Sequence, residues 1–219
     1  MPNLLVVGAG PGISGATARR FGHEGYGVGL VARREDALAR HGDELRAEGI
    51  RTDWATGQSG DPASLTAAIT RLIEVLGSVD VLLYNVSVGR SATVPDLAPE
   101  DLLADVAAGA VGLQTALRAV LPGMRARGSG TVLATGGGTA DKPIVSMASL
   151  GVQKAALRAL VQVQAAGLAA EGVHVATVTI RGLVGDDKSV HPDRVAGLYA
   201  DLVAETAGPR ENWRTVVDL

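Results

Sequence analysis

Asn3-Leu4-Leu5-Val6-Val7-Gly8-Ala9-Gly10-Pro11-Gly12-Ile13-Ser14-Gly15 runs from a short apolar stretch through a glycine-dense turn into a helical pattern. This is how a nucleotide-binding strand-turn-helix unit begins. Glycines let the chain turn tightly at the strand end, and they let its amides approach a pyrophosphate held at the helix N-terminus. Gly8 and Gly10 start a G-x-G, but Ile13 stands where the third glycine of G-x-G-x-x-G belongs. What fits instead is Gly8, three residues, Gly12, one residue, then Ser14, with Gly15 beside it. Gly8, Gly10, Gly12, Ile13 and Ser14 are the candidate phosphate-binding turn; an ordinary glycine loop is the alternative.

Strand and helix patterns alternate along the rest of the chain. Leu4 to Val7, Val28 to Val31, Arg51 to Ala55, Val79 to Leu83, Thr131 to Ala134 and Val173 to Ile180 read as strands, with Thr215 to Val217 as an edge candidate. Helical stretches separate them. One continues from Ala16 to His23, and a charged one runs from Glu35 to Glu48. Another opens at Asp61-Pro62, an N-cap followed by proline in the first helical position. Long blocks follow from Pro99 to Met124 and from Leu150 to Glu171, and His191-Pro192-Asp193 opens a late helix. Parallel strands need crossovers, so this order predicts a single-domain, Rossmann-like, doubly wound parallel sheet over residues 1–219, with helices on both faces. The Leu150 to Glu171 helix is apolar round most of its circumference, which predicts burial by the sheet alone or by sheet and a subunit partner. A homodimer or homotetramer is the expectation.

Composition narrows the function classes. A chain of 219 residues can bury a substantial core, and a net charge of −3 argues against a general nucleic-acid binder. There is no cysteine, so disulfides and thiolate chemistry are excluded. The four histidines, His23, His41, His174 and His191, lack metal-ligand spacing, and no metal is expected. No apolar run reaches the length needed to span a bilayer, and the start lacks a signal-peptide pattern. A soluble, cytoplasmic protein acting on a small molecule is the expectation.

The chain resembles the short-chain dehydrogenase/reductase family over essentially its whole length. The glycine turn is similar to that family's phosphate loop. Leu82-Leu83-Tyr84-Asn85-Val86-Ser87 resembles its Asn-Asn-Ala-Gly segment, with only Asn85 kept. Leu121-Pro122-Gly123-Met124 before Gly130-Thr131-Val132-Leu133 resembles the approach to the fifth strand, and Lys154-Ala155-Ala156-Leu157 the end of the Tyr-x-x-x-Lys helix. Val178-Thr179-Ile180-Arg181-Gly182 stands where the family has Pro-Gly, and the Trp213-containing tail resembles a divergent branch. The resemblance implies carbonyl reduction with a tyrosine proton donor, a lysine that lowers its pKa, a serine that polarises the carbonyl and an asparagine that holds a water. The tyrosine position is Leu150, the serine position falls in Gly136-Gly137-Gly138, and the asparagine position is Gly109. Only Lys154 survives, as the catalytic candidate and as a grip on the nicotinamide ribose; a helix lysine reaching to solvent is the alternative. An aliphatic side chain exchanges no proton, so the family's acid/base step does not run from position 150.

Arg33 and Arg34 immediately follow the second strand, where a dinucleotide's adenosine ribose lies. Cations in a helix's first turn oppose its dipole, and a 2′-phosphate supplies a reason for them; neutralisation by Glu35 and Asp36 is the alternative. NADP(H) is the expected cofactor. Thr135, Thr139, Asp141, Lys142, Ser146 and Ser149 lie before the Lys154 helix as cap residues or as substitutes for the lost acid. Tyr84 is read as packing against the cofactor, and Arg181 as meeting a substrate carboxylate or pairing with Asp186 or Asp187. Ten residues between Ile180 and His191 leave little chain for a substrate lid, which suits a large or open-bound substrate, or none. Two functions fit: an atypical NADP(H)-dependent oxidoreductase on a carbonyl or alcohol, and an NADP(H)-binding sensor or assembly partner without turnover. A non-redox enzyme reusing the fold is a third.

Overall fold

The computed structural model describes residues 1–185 and 188–219. Seven parallel strands form one sheet in the order β3-β2-β1-β4-β5-β6-β7. They are β1 (Asn3–Val7), β2 (Gly27–Ala32), β3 (Thr52–Thr56), β4 (Val81–Tyr84), β5 (Gly130–Gly137), β6 (Val173–Ile180) and β7 (Val216–Asp218). The helices are α1 (Ile13–His23), α2 (Glu35–Ala47), α3 (Pro62–Leu76), α4 (Pro99–Val106), α5 (Gly112–Arg127), α6 (Ala148–Leu168) and α7 (Pro192–Ala204). The doubly wound expectation stands, with strand bounds displaced by a few residues.

Strand alternation builds two cores. Leu5 and Val7 of β1 face Leu65, Ile69 and Leu72 of α3, Leu113 of α5 and Leu157 of α6. Leu4 and Val6 face Phe21 of α1, Leu38 and Leu45 of α2 and Tyr199 of α7. Every β1 residue is buried, as a sheet covered on both faces requires.

Asp61 caps α3 through its side chain, which accepts from the amides of Ala63 and Ser64, and Pro62 sits in the first turn. The predicted Pro99–Met124 block is one continuous helix interrupted by a π-turn at Ala107–Val111. Pro99–Arg127 is long and apolar enough to cross a membrane by length and composition, because a few polar residues do not break its pattern. Its inner side packs on the sheet and on α3.

The burial pattern of α6 departs from the expected apolar helix. Its inner face carries Ser149, Gln153, Lys154 and Gln164 beside Leu157, Val161 and Leu168, while Val152 and Val163 are exposed. The cause is position: the N-terminal half of α6 crosses the carboxyl edge of the sheet, where loop backbone offers polar partners.

Candidate functional site

Strand order reverses between β1 and β4, and a cleft opens there at the carboxyl edge, as expected for this topology. The cavity, about 860 Å³, is walled by the glycine turn, the β2 end with α2, the loop after β3, and the loop after β4. Of the candidate cofactor residues, Gly8, Gly10, Arg33, Arg34 and Asn85 line it. Gly12, Ile13, Ser14 and Lys154 do not.

The turn is held from below. Gly8 and Ala9 donate backbone bonds to the Val31 carbonyl at 2.9 and 3.0 Å. Gly8 has φ +87°, and a Cβ there would lie 2.5 Å from the Asn85 carbonyl oxygen, so glycine is required by both conformation and space. Gly10 and Gly12 have nothing within 4 Å of a would-be Cβ: they keep space open above the turn rather than contact anything. Ser14 Oγ accepts from the Gly10 amide at 3.0 Å and donates to its carbonyl at 3.1 Å, closing the turn internally. Ile13 packs into the core beneath. Gly12 caps α1 without a side-chain bond, leaving first-turn N–H groups available to an anion.

Arg33 and Arg34 are exposed on the cavity rim, and among the described residues neither makes an ion pair, with Glu35 and Asp36 or otherwise. Arg40, one and a half turns along α2, lines the same wall and is likewise unpaired. The sequence reading passed over it because an isolated helix arginine looks like a solvated face. These cations, the bare turn and the first-turn amides fit a dinucleotide carrying a 2′-phosphate.

Asn85 accepts from Thr135 Oγ1 at 2.6 Å and donates to the Gly8 carbonyl at 3.3 Å, tying the ends of β1, β4 and β5 together. Lys154 is buried, with its ammonium donating to the carbonyls of Val86 at 3.1 Å and Thr135 at 2.8 Å. It neither reaches to solvent nor lines the cleft. Burial lowers its pKa to about 8.

At the corner where the resemblance expects the acid, Leu150 is half-buried, β5 runs on through Gly136 and Gly137, and the chain turns at Gly138–Ala140. The substitute groups are mostly engaged. Thr135 is shared between Asn85 and Tyr199, and Ser149 donates to Asp105 at 2.7 Å. Asp141 is held by Arg158 and Arg181, and the Arg158 hydrogen bond leads the effects lowering its pKa to about 2. Lys142 and Ser146 are exposed. Of these groups, Thr139 Oγ1 is buried with no hydrogen-bond partner among the described residues.

Two expectations are corrected. Tyr84 is fully buried on the α3–α5 side; its hydroxyl donates to the Ala108 carbonyl, and desolvation raises its pKa. The phenol pairs with backbone at the π-turn rather than with a ligand. Arg181 pairs with Asp141 at 3.0 Å and Asp218 at 2.9 Å, so it is not free for a substrate carboxylate. Asp186 and Asp187 lie outside the described residues.

Three further residues were missed. Arg90, on the loop after β4, binds Asp105 of α4 through Nε at 2.8 Å and Nη2 at 3.0 Å, and Asp101 at 3.2 Å. Asp105 is buried, and the Arg90 hydrogen bond lowers its pKa. Gln153 is fully buried and bonds both backbone groups of Val88. Nothing local marks them: α4 also carries Glu100 and Asp101, and α6 also carries Arg158, Gln162 and Gln164.

The sequence matches the short chain dehydrogenase family over residues 2–185. The chain belongs to the short-chain dehydrogenase/reductase family. It is 30% identical to oxidoreductase UcpA of Escherichia coli K12 over 211 residues, covering 94% of this chain and 74% of that protein. It is also 28% identical to glycine betaine reductase ATRR of Emericella nidulans over 174 residues, which is 80% of this chain but 14% of that much longer protein. A metagenomic short-chain oxidoreductase crystallised with NADP superposes with a TM-score of 0.88 at 25% identity, over 100% of this chain and 96% of that one. The fold expected from the sequence is the family's fold.

Proposed function

We propose that this short-chain dehydrogenase/reductase binds NADP(H) in the cleft between β1 and β4 and slowly reduces a carbonyl compound, without a side-chain acid at position 150. The observation that carries the reading is the cleft wall itself: Arg33 and Arg34, without an ion pair among the described residues, stand at the β2 end beside a glycine turn with open space above it. The similar metagenomic oxidoreductase holding NADP supports it.

When bound, the nicotinamide supplies a hydride to the carbonyl carbon. The chain's residues then have limited tasks. The first-turn amides of α1 and the glycine turn bind the pyrophosphate, Arg33 and Arg34 read the 2′-phosphate, and Asn85 fixes the turn against β5. Lys154 holds the strand ends through the Val86 and Thr135 carbonyls, and with its ammonium so committed the expected ribose grip has no support in the geometry. Leu150 has no proton to give, so the proton reaching the product oxygen comes from water or from a substitute side chain such as Thr139.

A second reading, a binding module without turnover, is favoured by a specific observation. Thr135, Ser149, Asp141, Arg181 and Tyr84 are each committed to partners, which leaves no free acid among them. Assembly as a homodimer or homotetramer belongs to either reading.

Calorimetric titration of NADPH and NADH tests the shared core. NADPH should bind more tightly to wild type, and Arg33→Ala should lose on the order of 1.5–3 kcal/mol of NADPH binding while sparing NADH. Equal affinities in wild type would overturn the assignment. NADPH consumption over a panel of ketones and aldehydes separates the two readings: slow turnover supports reduction, and silence with binding intact supports the module.

A further inference from the structure

The loop after β4 forms one wall of the cleft, through Asn85, Val86, Ser87, Val88 and Arg90. It belongs to no strand or helix: the Asn85 amide still donates to the Val7 carbonyl at 2.8 Å, but beyond it no sheet ladder holds the backbone of residues 86–90. Side chains hold it at three points instead. Lys154 donates to the Val86 carbonyl at 3.1 Å. Gln153 Oε1 accepts from the Val88 amide at 2.9 Å, while its Nε2 donates to the Val88 carbonyl at 3.1 Å. Arg90 is forked onto Asp105. The last two clamps are joined, because Gln153 Nε2 also donates to Ser149 Oγ at 3.3 Å, and Ser149 donates to Asp105.

The glutamine clamp depends on a glycine across from it. A side chain at Gly109, in the π-turn between α4 and α5, would run into the Gln153 carboxamide. Gly109 and Gln153 are therefore a matched pair: the missing side chain on one helix is the room for the long side chain on the other. A fully buried carboxamide saturating both polar groups of one loop residue fixes that residue's position as a strand neighbour would.

We infer that Gln153 is a positioning residue for the cofactor: it holds the loop in its cleft-forming shape before the dinucleotide arrives, so binding does not have to order it. The inference rests on NADP(H) occupying this cleft. Preorganisation of this kind acts on affinity by lowering the entropy lost on binding. Gln153 lies on α6 and Arg33 on the β2 side of the cleft, so the clamp serves NADPH and NADH alike.

The test compares wild type with Gln153→Leu, which keeps the bulk and removes both bonds, and with Gly109→Ala, which displaces the carboxamide while leaving Gln153 intact. Each is measured by NADPH and NADH titration, thermal unfolding, and amide hydrogen exchange across residues 86–90. Both variants should bind both nucleotides about tenfold or more weakly with an unchanged NADPH/NADH ratio. Exchange in 86–90 should accelerate in the free variants and slow again with NADPH, while the strand amides stay as in wild type. Unchanged affinity in either folded variant overturns the inference, as does exchange raised uniformly across the sheet. Should Gln153→Leu fail to fold, Gly109→Ala decides alone. Wild type that binds neither nucleotide overturns the proposed function; wild-type binding with unchanged variants overturns only this inference.

Discussion

Leu150 and Gly137 decide the chemistry at the scale of single residues. A leucine donates no proton, and a glycine polarises no carbonyl, so under the proposed function positions 150 and 137 supply no acid/base pair. The space for one lost group is still there. A Cβ at Gly137 would sit 3.4 Å from Lys154 Cγ and 3.6 Å from Thr139 Oγ1, both ordinary contacts. Leu150→Tyr with Gly137→Ser should therefore raise NADPH-dependent reduction of simple ketones and aldehydes by roughly tenfold or more, short of the ~10²–10⁴ of a complete acid/base group. Lys154→Ala added to that pair should remove the gain. Brisk turnover by wild type would show that another group has taken over the proton. Restoring asparagine at position 109 is not part of the design, because Gln153 occupies its room.

The residues that were legible are those whose type carries the message. Glycines in a strand-helix turn and adjacent arginines after a strand announce themselves by what only they can do. Gln153, Asp105 and Arg90 were not legible, since their meaning lies in partners far along the chain: Gln153 meets Val88, and Asp105 meets Arg90 and Ser149. Tyr84 was misread for the same reason. Its place at a strand end is visible in sequence, but the face its phenol takes is set by the packing of α3 and α5.

Among the elements, α6 carries the most unusual division of surface. Its buried face holds a lysine, a serine and two glutamines, and its outer face shows Val152 and Val163. Leu103 of α4 and Val111 of the π-turn are exposed as well, and α4 packs beside α6. Periodicity alone reported the helix as apolar round most of its circumference, because it cannot say which stripe meets loop backbone and which meets solvent. The outward aliphatics fit a partner subunit. Light scattering should show a dimer or tetramer, and Val163→Asp should shift it toward monomer by placing an unpaired charge in the interface. A wild-type monomer across a wide concentration range would contradict this.

The sheet as a whole was readable because most strands are short apolar runs set between helical stretches, β3 being the polar exception, and parallel pairing leaves few ways to connect them. Element ends were less so: β5 extends to Gly137 because β6 pairs with it along its full length. That extension brings Thr135 into reach of the Lys154 ammonium and buries a charge at the sheet edge. The sign of its effect on folding follows from the lowered pKa. Between about 8 and the ordinary 10.5, the unfolded chain binds more protons than the folded one, so this lysine makes stability rise with pH across that window. Below it, the full cost of the buried charge is present, roughly 3 kcal/mol for a shift of this size. Urea unfolding at about pH 7, 8.5 and 10 should show that rise in wild type and a flatter profile in Lys154→Met. Parallel profiles would show that the ammonium is not strained by burial.

The central claim is that the cleft between β1 and β4 is an NADP(H) site read at its 2′-phosphate by arginines. The most direct measurement is a crystal structure of the protein grown with NADP⁺. The account predicts the pyrophosphate over Gly10 and Gly12 at the start of α1, with the 2′-phosphate within hydrogen-bond distance of Arg33 or Arg34. A 2′-phosphate turned to solvent, or a dinucleotide bound outside this cleft, would contradict it.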